Sequence, residues 1–447
     1  MKTGPKFKRL VGRIGPIRLV QFLTIVMFVG AFAFAALYET ATSSAQPAPN
    51  SCIKCHSQLA DERLSKPTQL FDHDIHKEKG LTCTDCHGGD ATQDDKKLAK
   101  DPAKGYTGKP TPAQVPAFCG KCHSDANLMK RFNPSLRVDQ VQEYFTSVHG
   151  KRLQGGDMKV ATCVSCHGIH GIRPPDDPTS TVYALNVADT CAQCHANAEH
   201  MQGYGIPTDQ YQKFKTSVHA NALYEKHDLS APTCNDCHGN HGAVPPGLDS
   251  VANVCGQCHG RQAELFRQGP HKQPFDAQKL GECLRCHSNH AVLPPTDAMA
   301  GVGEGSACTS CHQNDKGYEA AKKIGSGIEN LQVSIHNSTD ILDRAERAGM
   351  EVSKPQFELK EATDALTQAR VLVHTASPDQ VDGAIKPGMD VATKTYQAGE
   401  AAFAELSFRR KGLVVSLFFI LFLAGLVYLK VRQIEHKYPF NGKTPIS

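Results

Sequence analysis

Residues 162–171 read TCVSCHGIHG, and residues 233–242 read TCNDCHGNHG. In both stretches two cysteines three positions apart are followed at once by a histidine, and another histidine comes three residues later. C-x-x-C-H is the attachment signature of c-type haem, in which the two thiols become thioethers and the adjacent imidazole binds the iron. Each stretch therefore predicts one haem site and leaves the last histidine needing a separate role.

All 18 cysteines of this 447-residue chain fall into nine such pairs, and a histidine follows every pair. Zinc ribbons and disulfide scaffolds do not require that histidine, so the sequence predicts nine covalently bound c-type haems. The predicted attachment cysteines are Cys52, Cys55, Cys83, Cys86, Cys119, Cys122, Cys163, Cys166, Cys191, Cys194, Cys234, Cys237, Cys255, Cys258, Cys283, Cys286, Cys308 and Cys311. The predicted proximal iron ligands are His56, His87, His123, His167, His195, His238, His259, His287 and His312.

An internal repeat relates many of the other histidines to these motifs. Three copies, at about 141–312, contain an aromatic residue, a histidine, C-x-x-C-H-x-x-H, Pro-Pro and a second C-x-x-C-H. The upstream histidines, which have enough chain to reach the far face of a haem, are His149, His219 and His271. The last histidines of the C-x-x-C-H-x-x-H segments are His170, His241 and His290.

His167 and His170 are only three residues apart, so they cannot bind opposite faces of one haem. We therefore predict that His170, and likewise His241 and His290, bind the iron of a neighbouring haem. The alternative is a surface histidine, or one that bonds a haem propionate.

Residues 71–87, FDHDIHKEKGLTCTDCH, resemble the F-x-H-x-x-H…C-x-x-C-H pattern of class III cytochromes c. In that family the two histidines are distal ligands of different haems, and the resemblance implies this role for His73 and His76. Eight distal ligands result. For a ninth we favour His336, and the alternatives are His374, His200, His227, a methionine such as Met129 or Met201, or one haem left open.

Both ends of the chain carry apolar runs. Residues 19–38 follow a basic lead and predict an N-terminal transmembrane anchor, with a signal peptide cleaved near residues 43–45 as the alternative. Residues 412–429 contain no charge and predict a C-terminal transmembrane helix. Because c-type haem is attached outside the cytoplasm, we expect the bacterial cytoplasmic (inner) membrane, with the haem domain facing the periplasm.

The predicted fold class is mainly α with extensive irregular loops, with stacked haems replacing an aliphatic core. Apolar residues at three-and-four spacing in 324–345 and 359–373 predict a helical bundle that acts as a spacer, with a third helix from Met389 into the membrane span. The predicted domains are 1–48 (lead and anchor or signal), 49–313 (nonahaem domain), 314–410 (bundle or stalk), 411–430 (transmembrane helix) and 431–447 (cytoplasmic tail).

Closely packed haems with both faces filled favour electron transfer over catalysis, and no catalytic residue is predicted. We expect a membrane-anchored nonahaem cytochrome that passes electrons between a quinol or membrane partner and periplasmic or extracellular acceptors, with redox proteins as partners. The anchor before the first motif resembles the NapC/NirT-type quinol-oxidising cytochromes, which have fewer haems and no second span, and this resemblance implies a quinone partner. The alternatives are a multihaem reductase or oxidase of a small nitrogen or sulfur compound with one open iron, and an electron reservoir.

The net charge of +4 is spread along the chain without a basic block interleaved with aromatics. The sequence therefore gives nucleic-acid binding little support.

Overall fold

The computed structural model describes residues 50–247 and 251–437. The described residues form helices, turns and irregular loops and include no strand, which confirms the predicted mainly α class. The apolar run at 19–38, predicted to be an anchor or signal, lies outside the described residues.

Short helices separated by loops occupy the cysteine-containing region. Its first half contains α1 (Ser51–His56), α2 (Glu62–Phe71), α3 (Ile75–Glu78), α4 (Cys83–His87), α5 (Lys96–Ala99), α6 (Val115–His123), α7 (Ala126–Phe132), α8 (Gln140–Thr146), α9 (Val148–Gln154) and α10 (Cys163–His167). Its second half contains α11 (Val187–His195), α12 (Ala198–Met201), α13 (Gln210–Lys215), α14 (Val218–Ala220), α15 (Cys234–His238), α16 (Val251–Cys255), α17 (Gly260–Gln268), α18 (Lys272–Gln278) and α19 (Leu284–His287).

Single turns of other geometry supplement these helices. Asn221–Glu225 is a π-helical turn, and the 3₁₀ turns are Pro102–Lys104, Pro112–Gln114, Asp297–Ala300, Cys308–Ser310 and Val373–Thr375. Three long helices follow the cysteine region, namely α20 (Lys316–Arg347), α21 (Ser353–Leu372) and α22 (Pro378–Lys437).

The one-turn motif helices α4, α10 and α15 begin at the first cysteine because a threonine precedes it. The backbone N–H of Thr82 donates to the Asp85 carboxylate at 2.6 Å, and that of Thr233 donates to Asp236 at 2.8 Å. The N–H of Thr162 donates in the same way to the Ser165 hydroxyl at 3.0 Å. This capping-box arrangement satisfies donors that the start of a helix leaves unpaired, so both cysteines and the histidine share one turn.

Glycine ends the same turns. Gly88 follows the motif histidine with φ of +67°, a conformation that L side chains rarely adopt. A Cβ added to Gly88 would lie 2.1 Å from the carbonyl oxygen of Gly105. The chain therefore reverses directly after His87, which leaves the imidazole at the end of its helix.

The described chain divides into two compact units. One contains residues 50–136 and 162–174, and the other contains 137–161 and 175–437. The division falls inside the predicted nonahaem region, so the predicted domain boundaries remain predictions.

Helices α20, α21 and α22 pack against one another through two apolar clusters. One cluster is centred on Ile328, Leu331 and Val381, and the other on Leu342 and Ala362. Buried residues recur at three-and-four spacing on each helix, which agrees with the amphipathic pattern of the sequence.

Helix α22 begins at Pro378 rather than near Met389, and it continues through Pro387. Proline suits the first position of a helix, where its missing N–H leaves no bond unmade. Gly388 comes next and lies so close to the adjacent helices that an added Cβ would be 2.7 Å from the Ala365 methyl. With 60 residues, α22 is about 90 Å long.

The apolar part of α22 is exposed, and by length and composition this helix could cross a membrane. Among the described residues it is the one helix that meets this test.

The cysteine-containing region has few buried apolar side chains. Its own apolar cluster is small, with Tyr144, Leu153 and Val160 at its centre. The polypeptide alone therefore fills little of this region, as expected of a fold whose core is completed by a bound group.

Candidate haem-binding sites

In six of the nine motifs both cysteines and the histidine lie on one helix, whereas Cys283 caps its helix and the helical turns at Cys255 and Cys308 end before their histidines. All eighteen cysteines are free thiols, and each is half-buried or exposed. The thiols are thus placed for covalent attachment of a group at the helix surface, as thioether formation with a porphyrin requires.

Among the described residues, seven motif histidines lie beside seven histidines from outside the motifs. The ring-centre distances are 6.0 Å for His76–His123, 6.3 Å for His87–His170, 6.1 Å for His149–His195, 6.4 Å for His219–His259, 5.9 Å for His238–His290, 6.0 Å for His271–His312 and 6.2 Å for His287–His374. Every one of these pairs joins one motif histidine to one histidine from outside a motif.

This separation fits one iron held between two imidazoles. A metal–imidazole bond is about 2 Å long, and each ring centre lies about 1 Å behind its nitrogen, so two ligands of one metal have centres about 6 Å apart. The residues present therefore fit a haem iron coordinated on both faces.

The pairs fall into two geometric classes. The interplanar angle is small, at 27°, 8° and 21°, for His87–His170, His238–His290 and His287–His374. It is larger, at 87°, 58°, 43° and 50°, for His76–His123, His149–His195, His219–His259 and His271–His312.

The second class consists of pairs between an upstream histidine and a later motif. In each, the upstream histidine skips the motif that follows it and faces the motif after that one. His149, for example, faces His195 rather than His167.

The second ring nitrogen of several of these histidines has a hydrogen-bond partner. Nδ1 donates to a backbone carbonyl in His56 (Leu64, 3.0 Å), His87 (Gly108, 3.3 Å), His238 (Val244, 3.2 Å) and His374 (Val371, 2.9 Å). It faces a carboxylate in His76 (Asp74, 2.8 Å) and His312 (Asp315, 2.9 Å). Such bonds fix the tautomer that leaves Nε2 free to bind a metal.

Comparisons with known proteins agree with this geometry. The family model of cytochrome c3 matches residues 75–196. Multiheme cytochrome MtrA of Shewanella baltica is 25% identical over 233 residues, which are 48% of this chain and 63% of MtrA. C-type polyheme cytochrome OmcC of Geobacter sulfurreducens is 23% identical over 218 residues, which are 42% of this chain and 25% of OmcC.

This chain is a multihaem c-type cytochrome. It covers less than two thirds of the length of either relative. No solved structure matches it at a significant level. The match over 75–196 begins inside the stretch that resembles class III cytochromes c, so it confirms that resemblance.

Burial favours the ligand form of the histidines in this cytochrome. Removal from water lowers the pKa of an imidazole, and only the neutral ring binds a metal. Burial is the largest cause of a lowered pKa for His149, His170, His195, His219, His241, His271, His287 and His290.

The attachment thiols of successive motifs are neighbours. The partner thiol is the largest cause of a raised pKa for Cys119 beside Cys163 and for Cys283 beside Cys255, and of a lowered pKa for Cys234 beside Cys191. Four other thiols have a raised pKa, for which burial is the largest cause and the charge of a neighbouring thiol is the second. They are Cys83 beside Cys52, Cys86 beside Cys122, Cys237 beside Cys255 and Cys286 beside Cys308. Within each compact unit the motifs therefore follow one another in chain order.

The ligand roles predicted for His73, His241 and His336 stay predictions. His73 is exposed and has no ring contact with a motif histidine among the described residues. His241 is half-buried, and its Nδ1 lies 3.8 Å from the Glu143 carboxylate. His336 is exposed on α20, and His374, one of the alternatives, takes the position beside His287.

The structure also reveals a further repeat, which comes before the three that the sequence predicted. His76 faces His123 across one intervening motif, as His149 faces His195. There are thus four repeats, which we number first (71–123), second (145–195), third (214–259) and fourth (266–312). The first repeat lacks the last histidine of C-x-x-C-H-x-x-H, which we call the x-x-H histidine, and it lacks the Pro-Pro pair. The apolar residue directly before His76, which also occurs before His149 and His219, is the signal that could have identified this repeat.

Proposed function

We propose that this cytochrome is a membrane-anchored nonahaem electron carrier. It would transfer electrons between a quinol or a membrane partner and acceptors in the periplasm or outside the cell. Redox proteins are its expected partners, since its relatives are themselves named multiheme and polyheme cytochromes.

The observation that carries this proposal is the chain-ordered contact of attachment thiols within each unit. Cys255 lies beside Cys283 of the next motif and near Cys237 of the preceding one. Bound c-type haem supplies reversible one-electron chemistry. Groups attached in this order would lie close enough together to share electrons along the chain.

The paired histidines would hold both faces of a bound haem iron and would leave no position for a substrate. In seven sites both rings are already in position at ligand separation. We propose His73 and His241 as the further distal ligands, and we assign no catalytic acid or base. Such saturated sites suit a carrier better than an enzyme, which needs an open position.

The anchor is proposed from α22 and from the N-terminal apolar run. Residues 412–429 on α22 would lie in the cytoplasmic membrane, with residues 50–411 on the periplasmic side. The part of α22 before the span is about 50 Å long and would hold the haem region away from the bilayer.

Electron transfer is tested with the full-length holoprotein in nanodiscs. The reduced protein is mixed with a soluble ferric chelate, and haem oxidation is followed by stopped-flow absorbance. We expect every haem to be reoxidised. In a second assay, menaquinol in the nanodisc should reduce the haems, and nanodiscs without quinol provide the control.

The enzymatic alternative gives a different result in the same apparatus. Nitrite, hydroxylamine, sulfite and tetrathionate are added to the reduced protein with an excess of electron donor. A carrier shows no sustained consumption of these compounds. Sustained turnover of one of them, with failure to reduce the ferric chelate, would refute the proposal.

A further inference from the structure

The last histidine of a C-x-x-C-H-x-x-H segment lies beside a motif histidine of the preceding repeat. His170 of the second repeat faces His87, the first motif histidine of the first repeat. His290 of the fourth repeat faces His238, the first motif histidine of the third repeat. A C-x-x-C-H-x-x-H histidine thus completes a site in the repeat before its own.

This rule leaves one first motif without a repeat to complete it. The fourth repeat contains the last two C-x-x-C-H motifs in the chain, at Cys283 and Cys308. His287 would need a fifth repeat to supply its partner.

The structure places His374 there, from the turn between α21 and α22. Its ring centre is 6.2 Å from that of His287, at an interplanar angle of 21°. That angle lies within the 8–27° range of the x-x-H pairs and outside the 43–87° range of the upstream pairs. His374 therefore has the geometry of an x-x-H histidine, although no motif precedes it.

Backbone contacts between repeats support the same equivalence. In three repeats, the residue directly before the upstream histidine donates its backbone N–H to a carbonyl of the next repeat. The accepting carbonyl belongs to the residue two positions after that repeat's x-x-H histidine. These bonds are Ile75 to Ile172 (2.8 Å), Val148 to Ala243 (3.1 Å) and Val218 to Val292 (2.8 Å).

The fourth repeat departs from this pattern where no further repeat follows. Pro270 precedes its upstream histidine and has no N–H to donate. Gly269 stands where the earlier repeats have Ser147 and Ser217, and a Cβ added to it would lie 3.0 Å from the carbonyl oxygen of Thr375. The bundle turn therefore packs in the place that a fifth repeat would occupy.

Further contacts fix this turn. Arg370 on α21 donates two hydrogen bonds to the Asp297 carboxylate, at 2.7 and 2.6 Å. Thr375 is 3% exposed, and its hydroxyl donates to the Leu372 carbonyl at 2.7 Å. The bond from His374 Nδ1 to Val371 leaves Nε2 for the side that faces His287.

We propose that the helical bundle caps the repeat array by supplying His374 as the second iron ligand of the haem attached at Cys283 and Cys286. Repeat arrays need terminal elements that differ from their internal units. The bundle is then part of a haem site and more than a spacer. This inference rests on the proposed haem occupancy of that motif.

The test compares His374→Ala and His374→Met with His336→Ala in the full-length holoprotein. His336 is the matched control because it is an exposed histidine of the same bundle. Intact mass gives the haem count of each variant, and near-infrared magnetic circular dichroism gives the axial ligands of the oxidised irons.

For His374→Ala we expect the wild-type haem count and a bis-histidine signal that is smaller by the share of one haem. Added imidazole should restore the lost part of that signal. For His374→Met we expect one histidine–methionine signal in place of one bis-histidine signal, which keeps the test decisive if the alanine variant folds poorly. His336→Ala should match the wild type.

An unchanged bis-histidine signal in both His374 variants, at full haem count, would overturn the inference and leave the proposed function intact. Absence of haem from Cys283 and Cys286 in the wild type would overturn both. Peptide mass mapping of that motif separates the two outcomes.

Discussion

At the scale of single residues, the partner of Nδ1 differs between histidines that otherwise look alike. His76 faces Asp74, which is 2% exposed, whereas His87 faces a backbone carbonyl. Burial raises the pKa of Asp74, but hydrogen bonds from His76 and the Ile172 N–H outweigh burial and hold that pKa below its usual value. Asp74 is therefore ionised at neutral pH. An ionised partner makes the imidazole a stronger ligand and favours the oxidised metal.

We predict that Asp74→Asn raises the midpoint potential of one haem, the one attached at Cys119 and Cys122, by about 60 mV, a tenfold change in its one-electron equilibrium. Asparagine keeps the helix cap of α3 while removing the charge. Spectroelectrochemical titration of the holoprotein measures the shift.

Asp72→Asn is the matched control for that titration. Asp72 is nearby but exposed, and its carboxylate bonds Lys77 at 2.6 Å rather than a histidine. Equal shifts in both variants would mean that general surface charge, and not the bond to His76, sets the potential.

At the scale of elements, close packing in the bundle depends on small residues of α22. Gly399 is buried, and an added Cβ would lie 2.7 Å from Cγ2 of Ile341 on α20. Gly383 on the same helix is exposed, with no atom within 4 Å of the added Cβ. Two glycines of one helix therefore provide a buried site and its control.

Gly399→Ala should destabilise the bundle by about 1–3 kcal/mol, because the core cannot accommodate the methyl without moving Ile341. Gly383→Ala should stabilise it by about 0.5–1 kcal/mol through higher helix propensity. Thermal midpoints from far-ultraviolet circular dichroism of the full-length protein measure both. The helix packing described here is contradicted if Gly399→Ala melts at or above the wild-type midpoint.

The sequence predicted these elements unevenly. The motif turns were predictable because a capping threonine, two cysteines, a histidine and a glycine are local signals. The start of α22 was not, because Pro378 and Pro387 both suggest interruption, and only the packing of α21 and α22 shows that the helix continues.

At the scale of the whole molecule, the pairs His87–His170 and His238–His290 join residues of different repeats. The sequence predicted that His170 and His290 serve a neighbouring haem, and the structure places both beside motif histidines of earlier repeats. The sequence favoured His336 as the ninth ligand and kept His374 as an alternative. No motif or repeat surrounds either residue, so the sequence held no signal that separates them. Only tertiary packing brings His374 to His287.

We predict that removing a central haem interrupts electron flow in the cytochrome. Cys255→Ala combined with Cys258→Ala should split reoxidation by a ferric chelate into a fast and a slow phase, because motifs on both sides lose their shared neighbour. Removing the first haem, with Cys52→Ala and Cys55→Ala, should leave the number of reoxidation phases as in the wild type. Stopped-flow absorbance measures both variants, and identical kinetics would argue against passage from motif to motif.

The most direct test of the central claim is low-temperature electron paramagnetic resonance of the oxidised holoprotein, quantified against total haem. We expect low-spin signals to account for all nine irons. We also expect two groups of signals, because the histidine planes are nearly parallel in one class of pairs and strongly tilted in the other. A high-spin signal equivalent to one haem or more would contradict histidine saturation, and it would favour an enzyme with an open iron over an electron carrier.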